Sequence, residues 1–169
     1  MGIDGMINQL KSIDIDKMIF RILSNSNLQY NLIGDIQKRI FEKGITATGK
    51  VLRTDFARSN SKRLKGKQGF YSKNTEIIKR AKSQPVNRVT LSDTGQFFNS
   101  FSIKHSKNFI TISAETRKKN GRIEDNFKDS FATNAEFSNE ILNLNTDEQQ
   151  TLIEVMKQEM LNEFKRILM

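Results

Sequence analysis

A reactive site needs a nucleophile, a proton carrier, a set of metal ligands or a cradle for phosphate, and this chain offers little of each. It contains no cysteine and a single histidine, His105. Disulfides, thiolate chemistry and Cys- or His-rich metal sites are therefore excluded. His105 falls where a hairpin should turn and is expected to be an exposed turn residue. No Gly-x-Ser-x-Gly sequence frames a serine nucleophile. The acidic pairs Asp14/Asp16, Glu124/Asp125 and Asp147/Glu148 remain as material for a carboxylate metal site. They sit instead where helix starts and solvated turns favour acids. Gly66-Lys67-Gln68-Gly69 is glycine-rich, but no apolar strand precedes it and no Gly-Lys-Ser/Thr closes a phosphate loop. The expectation is a non-enzymatic protein with no catalytic residues, no cofactor and no metal.

Charge is the next candidate. The chain carries a formal +9, and between Lys50 and Thr90 twelve basic residues face only Asp55 and Glu76, giving that stretch +10. The remainder holds 16 basic and 17 acidic residues, or −1. Charge gathered in this way fits a contact surface on an otherwise neutral protein, or a simply solvated face. Arg53, Arg58, Lys62, Arg63, Lys65 and Lys67 are its candidate contacts with a partner protein or with DNA. Phe56, Phe70 and Tyr71 are available for stacking. No helix-turn-helix or zinc finger accompanies the charge, so sequence-specific reading of DNA is weakly supported.

The elements that must position these residues follow from periodicity. The 169 residues are one domain's worth, and 36% apolar with 28% charged residues implies a small core under much polar surface. No apolar run is long enough for a bilayer, and the first residues resemble neither a signal peptide nor a myristoylation site. A soluble protein with no membrane partner is expected. Ile15, Met18, Ile19 and Ile22 predict a helix, with residues 1–25 forming an N-terminal helical arm. Ser26 with Gln29 fits a capping box. Leu28, Leu32, Ile33, Ile36, Ile40 and Phe41 then stripe a helix that stops at Lys43-Gly44. Residues 44–72 read as a long basic loop, followed by a short helix around Thr75–Lys82 and a stop at Gln84-Pro85. Alternation in residues 99–115 predicts a β-hairpin, Phe101 and Ile103 sharing a face. Phe127, Phe131 and Phe137 are expected anchors in a weakly patterned stretch. Thr146 with Gln149 fits a second capping box, opening a long C-terminal helix whose inner face holds Leu152, Ile153, Met156, Met160, Phe164 and Ile167. The fold class is α+β: a small antiparallel sheet packed by amphipathic helices in a single domain over 26–169.

One segment carries a resemblance. Leu91-Ser92-Asp93-Thr94-Gly95-Gln96-Phe97-Phe98-Asn99-Ser100-Phe101 is similar to the Leu-x-Asp-Thr-Gly signature of the neck or tail-completion (virion morphogenesis) proteins of tailed bacteriophages. Its motif residues are Leu91, Asp93, Thr94, Gly95, Phe97, Ser100 and Phe101. Asp93 or Thr94 would cap a short helix, Gly95 would permit close packing, and Ser100-Phe101 would open the next strand. Further stretches match in order: Phe41-Glu42-Lys43-Gly44-Ile45, Gly49-Lys50, Tyr71-Ser72-x-x-Thr75, Gln84-Pro85-Val86-x-Arg88-Val89-Thr90-Leu91 and Ile141-Leu142-Asn143-Leu144. This set resembles the version found in phages of Bacteroidetes, crAss-like phages included. The resemblance covers roughly residues 28–169, with 90–103 its most specific part; residues 115–140 match little, and the 50–70 loop is more basic than the family needs.

The resemblance implies a non-enzymatic subunit of the head–tail connector. It would form a homo-oligomeric ring, twelve copies favoured over six, between portal and tail proteins, keeping the DNA conduit continuous. The chain would be assembled in the host bacterial cytoplasm and reside at the head–tail interface of the virion, with non-specific contact to genomic DNA open to it. The N-terminal helices would reach a neighbouring subunit. The alternative reading is a small basic DNA-binding protein, a phage nucleoid or packaging factor.

Overall fold

The computed structural model describes residues 3–11, 13–53, 70–106, 109–118, 121–122 and 138–168. The fold is α+β, with α1 (Ile3–Lys11), α2 (Ile15–Leu23), α3 (Ser26–Lys38), α4 (Lys73–Ala81), α5 (Gln96–Asn99) and α6 (Thr146–Leu168). Between α5 and α6 lies the hairpin of β1 (Ser102–His105) and β2 (Ile110–Ser113), antiparallel with Ile103 opposite Ile112. A smaller ladder pairs β3 (Arg117–Lys118) with β4 (Gly121–Arg122).

Both expected caps prove to be set one residue early, and only the one at α6 is a reciprocal box. At α3 the cap is Asn25, whose Oδ1 accepts the N–H groups of Asn27 at 2.9 Å and Leu28 at 3.3 Å. Gln29 turns its amide to the Leu23 carbonyl instead, at 2.8 Å. At α6 the box is Asn145 with Glu148, each side chain accepting the other's backbone N–H at 2.8 Å. Asparagine caps at least as well as threonine, and a carboxylate suits the positive end of the helix better than an amide. Asp14 caps α2 by accepting from the Lys17 N–H at 2.9 Å.

The apolar side chains form two clusters. The first joins Ile36 of α3 and Ile40 of the π turn that follows it to Leu52, Tyr71, Val89, Phe97, Ile141 and Leu142, all buried. The second joins Met18 and Ile22 of α2 to Leu28 and Leu32 of α3, with Leu152, Met156, Met160 and Phe164 of α6 half-buried against them. The segment expected as an arm therefore places α2 in the chain's own interior. Ile153, expected on the inner face of α6, is 45% exposed. The stripe 152-156-160-164 advances by four, and one step from Leu152 turns Ile153 about 100° away from it.

The region read as a loop from Gly44 is more ordered at its ends than expected. Gly44 takes the left-handed conformation (φ 64) that stops the helix, after a wide π turn over Arg39–Lys43. Ile45 then bridges Val51 across a tight turn, and Leu52 is 1% exposed. Gly49 (φ 82) makes that turn, with the Gly49 N–H on the Thr46 carbonyl at 3.1 Å. The expected loop residues 54–69 and the anchors Phe127, Phe131 and Phe137 lie outside the described residues.

Candidate assembly surface

The motif segment is held from beneath by α4. Ser72 caps that helix, and Lys79 projects from it into the interior, 7% exposed. Its three ammonium protons reach Gln84 Oε1 at 3.0 Å, Thr90 Oγ1 at 3.1 Å and the Ser92 carbonyl at 2.9 Å. The Nζ atom also lies over the Tyr71 ring, 4.8 Å from its centroid, a desolvated cation–π contact. Burial pushes the Lys79 ammonium below its ordinary value, the charge of Asp93 offsetting part of the fall. Burial likewise pushes the Tyr71 phenol up, and its oxygen accepts the Thr90 N–H at 3.1 Å. Val89 and Thr90 enter the motif with almost no exposed surface.

From there the motif residues take distinct roles. Leu91 packs on the first cluster while holding φ 51, a left-handed conformation that costs a leucine about 1–2 kcal/mol. Asp93 pairs with Lys82 at 2.7 Å and does not cap α5. The Thr94 hydroxyl accepts from the Gln96 N–H at a long 3.4 Å. Gly95 itself is the N-cap of α5, at φ 80. A Cβ there would meet only Asn99 Nδ2 at 3.7 Å, so its glycine answers a backbone requirement and not the close packing expected. Phe97 is buried, its ring edge-on to Phe98 and Phe101 at 5.7 and 5.2 Å. The Ser100 hydroxyl donates to the Phe97 carbonyl at 2.8 Å and accepts from the Glu115 N–H at 2.7 Å, tying α5 to the end of the hairpin. The strand begins one residue after Phe101, at Ser102.

The basic stretch divides into inner and outer cations. Besides Lys79, the half-buried Arg88 donates from Nε to the Phe41 carbonyl at 2.9 Å; Lys50 is exposed and pairs at the surface with Glu140 at 2.7 Å. Arg53 lies at the surface with its guanidinium over the Phe70 ring, 5.7 Å from the centroid. Lys73 and Arg80 are exposed on α4 and have no ion-pair partner among the described residues. Arg58, Lys62, Arg63, Lys65 and Lys67 lie outside the described residues.

Two polar constellations escaped the sequence reading. Arg39, 3% exposed, opens the π turn at the end of α3. It donates to Glu148 Oε1 at 2.8 Å and to the carbonyls of Ile45, Ile141 and Asn143 at 3.2, 3.1 and 2.9 Å. Ile141 and Asn143 lie at the end of a second π turn, Ser138–Leu142, whose open carbonyls Arg39 thus satisfies. Glu148, expected as one of the acids at helix starts and solvated turns, is in the first turn of α6 but buried in this network. The signal was present: Arg39 stands three residues after Ile36 and seven after Leu32, on the apolar stripe of its own helix.

His105 is the other. It is half-buried, its ring edge-on to Phe20 with centroids 4.6 Å apart and its Nε2 2.8 Å from Ser24 Oγ. Ser24 commits its hydroxyl proton to the Phe20 carbonyl at 2.6 Å. The histidine is therefore the donor, and the pair ties the hairpin to α2, the reverse of the polarity that activates a serine. Among the described residues no group of three or more His, Asp or Glu side chains gathers to hold a metal ion, and no helix is long and apolar enough to cross a membrane. Comparison of the chain with family models, with curated proteins and with solved structures finds no match.

Proposed function

We propose that this chain is a structural subunit of a tailed-phage neck, forming a homo-oligomeric ring between portal and tail around the DNA conduit. One observation carries the reading: the separated stretches that resemble the neck family build a single core. Gly44, Tyr71, Val89 to Phe101 and Ile141 to Leu144 lie far apart in sequence. They meet in the first cluster, where a Cβ on Gly44 would stand 3.0 Å from the Val89 carbonyl.

Unfinished apolar surface supports the same reading. Tyr30 is 78% exposed, Phe109 62%, Ile77 58% and Ile78 53%. Contiguous exposed apolar surface is commonly covered by partner subunits, and of these residues Ile77 and Ile78 are neighbours on α4. The DNA-binding alternative loses part of its charge, because Lys79 and Arg88 are drawn into the fold and Lys50 and Lys82 are paired at the surface with Glu140 and Asp93. Electron microscopy of the purified full chain, with mass spectrometry of particles assembled from the same genome, tests the proposal. Closed rings with an axial channel, and the chain in those particles, are expected. A protein that stays monomeric at every concentration and is missing from particles overturns it. Tight duplex binding that falls steeply with rising salt, lost on replacing Lys62, Arg63, Lys65 and Lys67, would favour the DNA-binding role instead.

A further inference from the structure

We infer that the ring contact runs head to tail, the acidic N-terminal edge of one copy docking on the cationic isoleucine face of α4 in the next; this rests on the ring reading above. Helix α4 is inverted relative to an ordinary amphipathic helix. It buries a lysine, Lys79, and turns Ile77 and Ile78 outward at 58% and 53% exposure. Lys73, Ile77 and Arg80 recur at spacings of four and three, so Ile77 lies between two cations on one face and Ile78 is exposed about 100° beside it. The same chain carries exposed isoleucines beside acids on α1 and α2. On α1, Asp4, Ile7 and Asn8 share an exposed face, with Ile7 42% exposed. Ile15, also 42% exposed, follows between Asp14 and Asp16. Residues 3–16 hold three acids and one base, a net −2.

Physical reasons choose a second copy as occupant and this pairing as the mode. Exposed isoleucines beside cations meet exposed isoleucines beside acids, which lets apolar burial supply affinity and charge supply orientation. Pairing α4 with α4 about a twofold axis would set Lys73 and Arg80 against themselves, and like charges across an interface cost binding. The two faces also belong to different parts of the molecule: α1 packs on α6, whereas α4 packs on the Tyr71–Thr90 strip. A contact between unlike surfaces does not close on itself as a dimer and propagates into a ring or a filament.

A charge-swap cycle on the full chain decides it, read by sedimentation velocity and electron microscopy, with thermal melts to verify that each variant is folded. The altered side chains are all exposed, so the melts should match wild type. Lys73→Glu with Arg80→Glu, and separately Asp4→Lys with Asn8→Lys, should each weaken assembly by roughly tenfold or more. The chain carrying all four changes should recover it. Wild-type assembly with both double variants assembling equally well overturns the docking while leaving the ring reading intact. A wild type that never assembles removes the ring reading, and this contact with it. Loss of salt-sensitive duplex binding in Lys73→Glu/Arg80→Glu, with assembly unchanged, assigns the α4 face to nucleic acid and also overturns the docking.

Discussion

The two clusters of this molecule are built on different terms. In the first, Ile36, Ile40 and Ile141 have no exposed surface, and the charged residues around them are drawn inside: Arg39 to Glu148 and three carbonyls, Lys79 to the strip at 90–92. In the second, the α6 side chains Leu152, Met156, Met160 and Phe164 stop at half-burial. Its charges stay at the rim, as in the pair of Arg21 with Glu163. The first cluster is closed by polar groups that have no other outlet. The second remains open at its edges, on the side of the molecule that also carries the exposed Ile7 and Ile15.

Breaking one ion pair in each region exposes the contrast most sharply. Arg39→Ala leaves Glu148 buried without its partner and several carbonyls unsatisfied, and should cost about 3–5 kcal/mol in denaturant unfolding. Arg21→Ala removes a solvent-screened contact and should leave the unfolding midpoint unchanged within error. Equal losses would mean that the two regions are not distinct. Truncating apolar side chains is the next test. Ile36→Ala opens a cavity in a closed core and should cost about 2–5 kcal/mol. Met160→Ala, already half in solvent, should cost less than half as much.

The same division governs how much could be read from the sequence. The stripes of α3 and α6 and the alternation at 99–115 were legible because burial of one face imposes a period on the chain. The capping residues were misplaced by one because asparagine, serine and threonine compete as neighbours at 24–27 and 145–146, and only the backbone decides among them. The inner cations were illegible for another reason. A count of lysines and arginines says nothing about which point inward, and Lys79 next to Ile77 and Ile78 inverts the rule that apolar side chains go inside. Arg39 alone advertised itself, by interrupting an apolar stripe. The motif at 91–101 was found as a pattern, while its means of support, Tyr71 and Lys79 from a different stretch, is a tertiary fact.

Two glycines refine the comparison within the first region. Gly44 and Gly49 both have positive φ, but a Cβ on Gly44 would stand 3.0 Å from Arg88 Cβ and from the Val89 carbonyl, whereas on Gly49 it would meet nothing within 4 Å. Gly49→Ala should therefore cost about 1 kcal/mol, the backbone penalty alone. Gly44→Ala adds overpacking against main chain and should cost about 2–4 kcal/mol, read from thermal or denaturant unfolding. Similar values would show that the helix end and the 88–89 segment separate easily, and that the closed cluster is looser than its burial indicates.

The smallest effect is the most diagnostic in its pH dependence. Glu140 receives Lys50 Nζ at 2.7 Å and the Thr48 hydroxyl at 2.8 Å, so that its carboxylate holds the 45–51 turn. The hydrogen bond from Lys50 is the largest influence; with the smaller help of Thr48, the Lys50 charge and Thr46 it outweighs burial and holds the carboxyl below the usual carboxylate range. The folded state thus binds this proton less readily than the unfolded chain. The stabilisation is complete above the unfolded value, about 4.3, and is lost as pH falls through the depressed folded value. In Glu140→Gln the neutral amide keeps an oxygen for Lys50 and Thr48 but has no proton to gain. The stability difference between wild type and this variant should be level from neutral pH down to about 5 and shrink below the usual carboxylate range. A difference that stayed constant to pH 3, or grew as pH fell, would show that the turn is held by its backbone bonds and the Ile45–Val51 bridge without help from this charge.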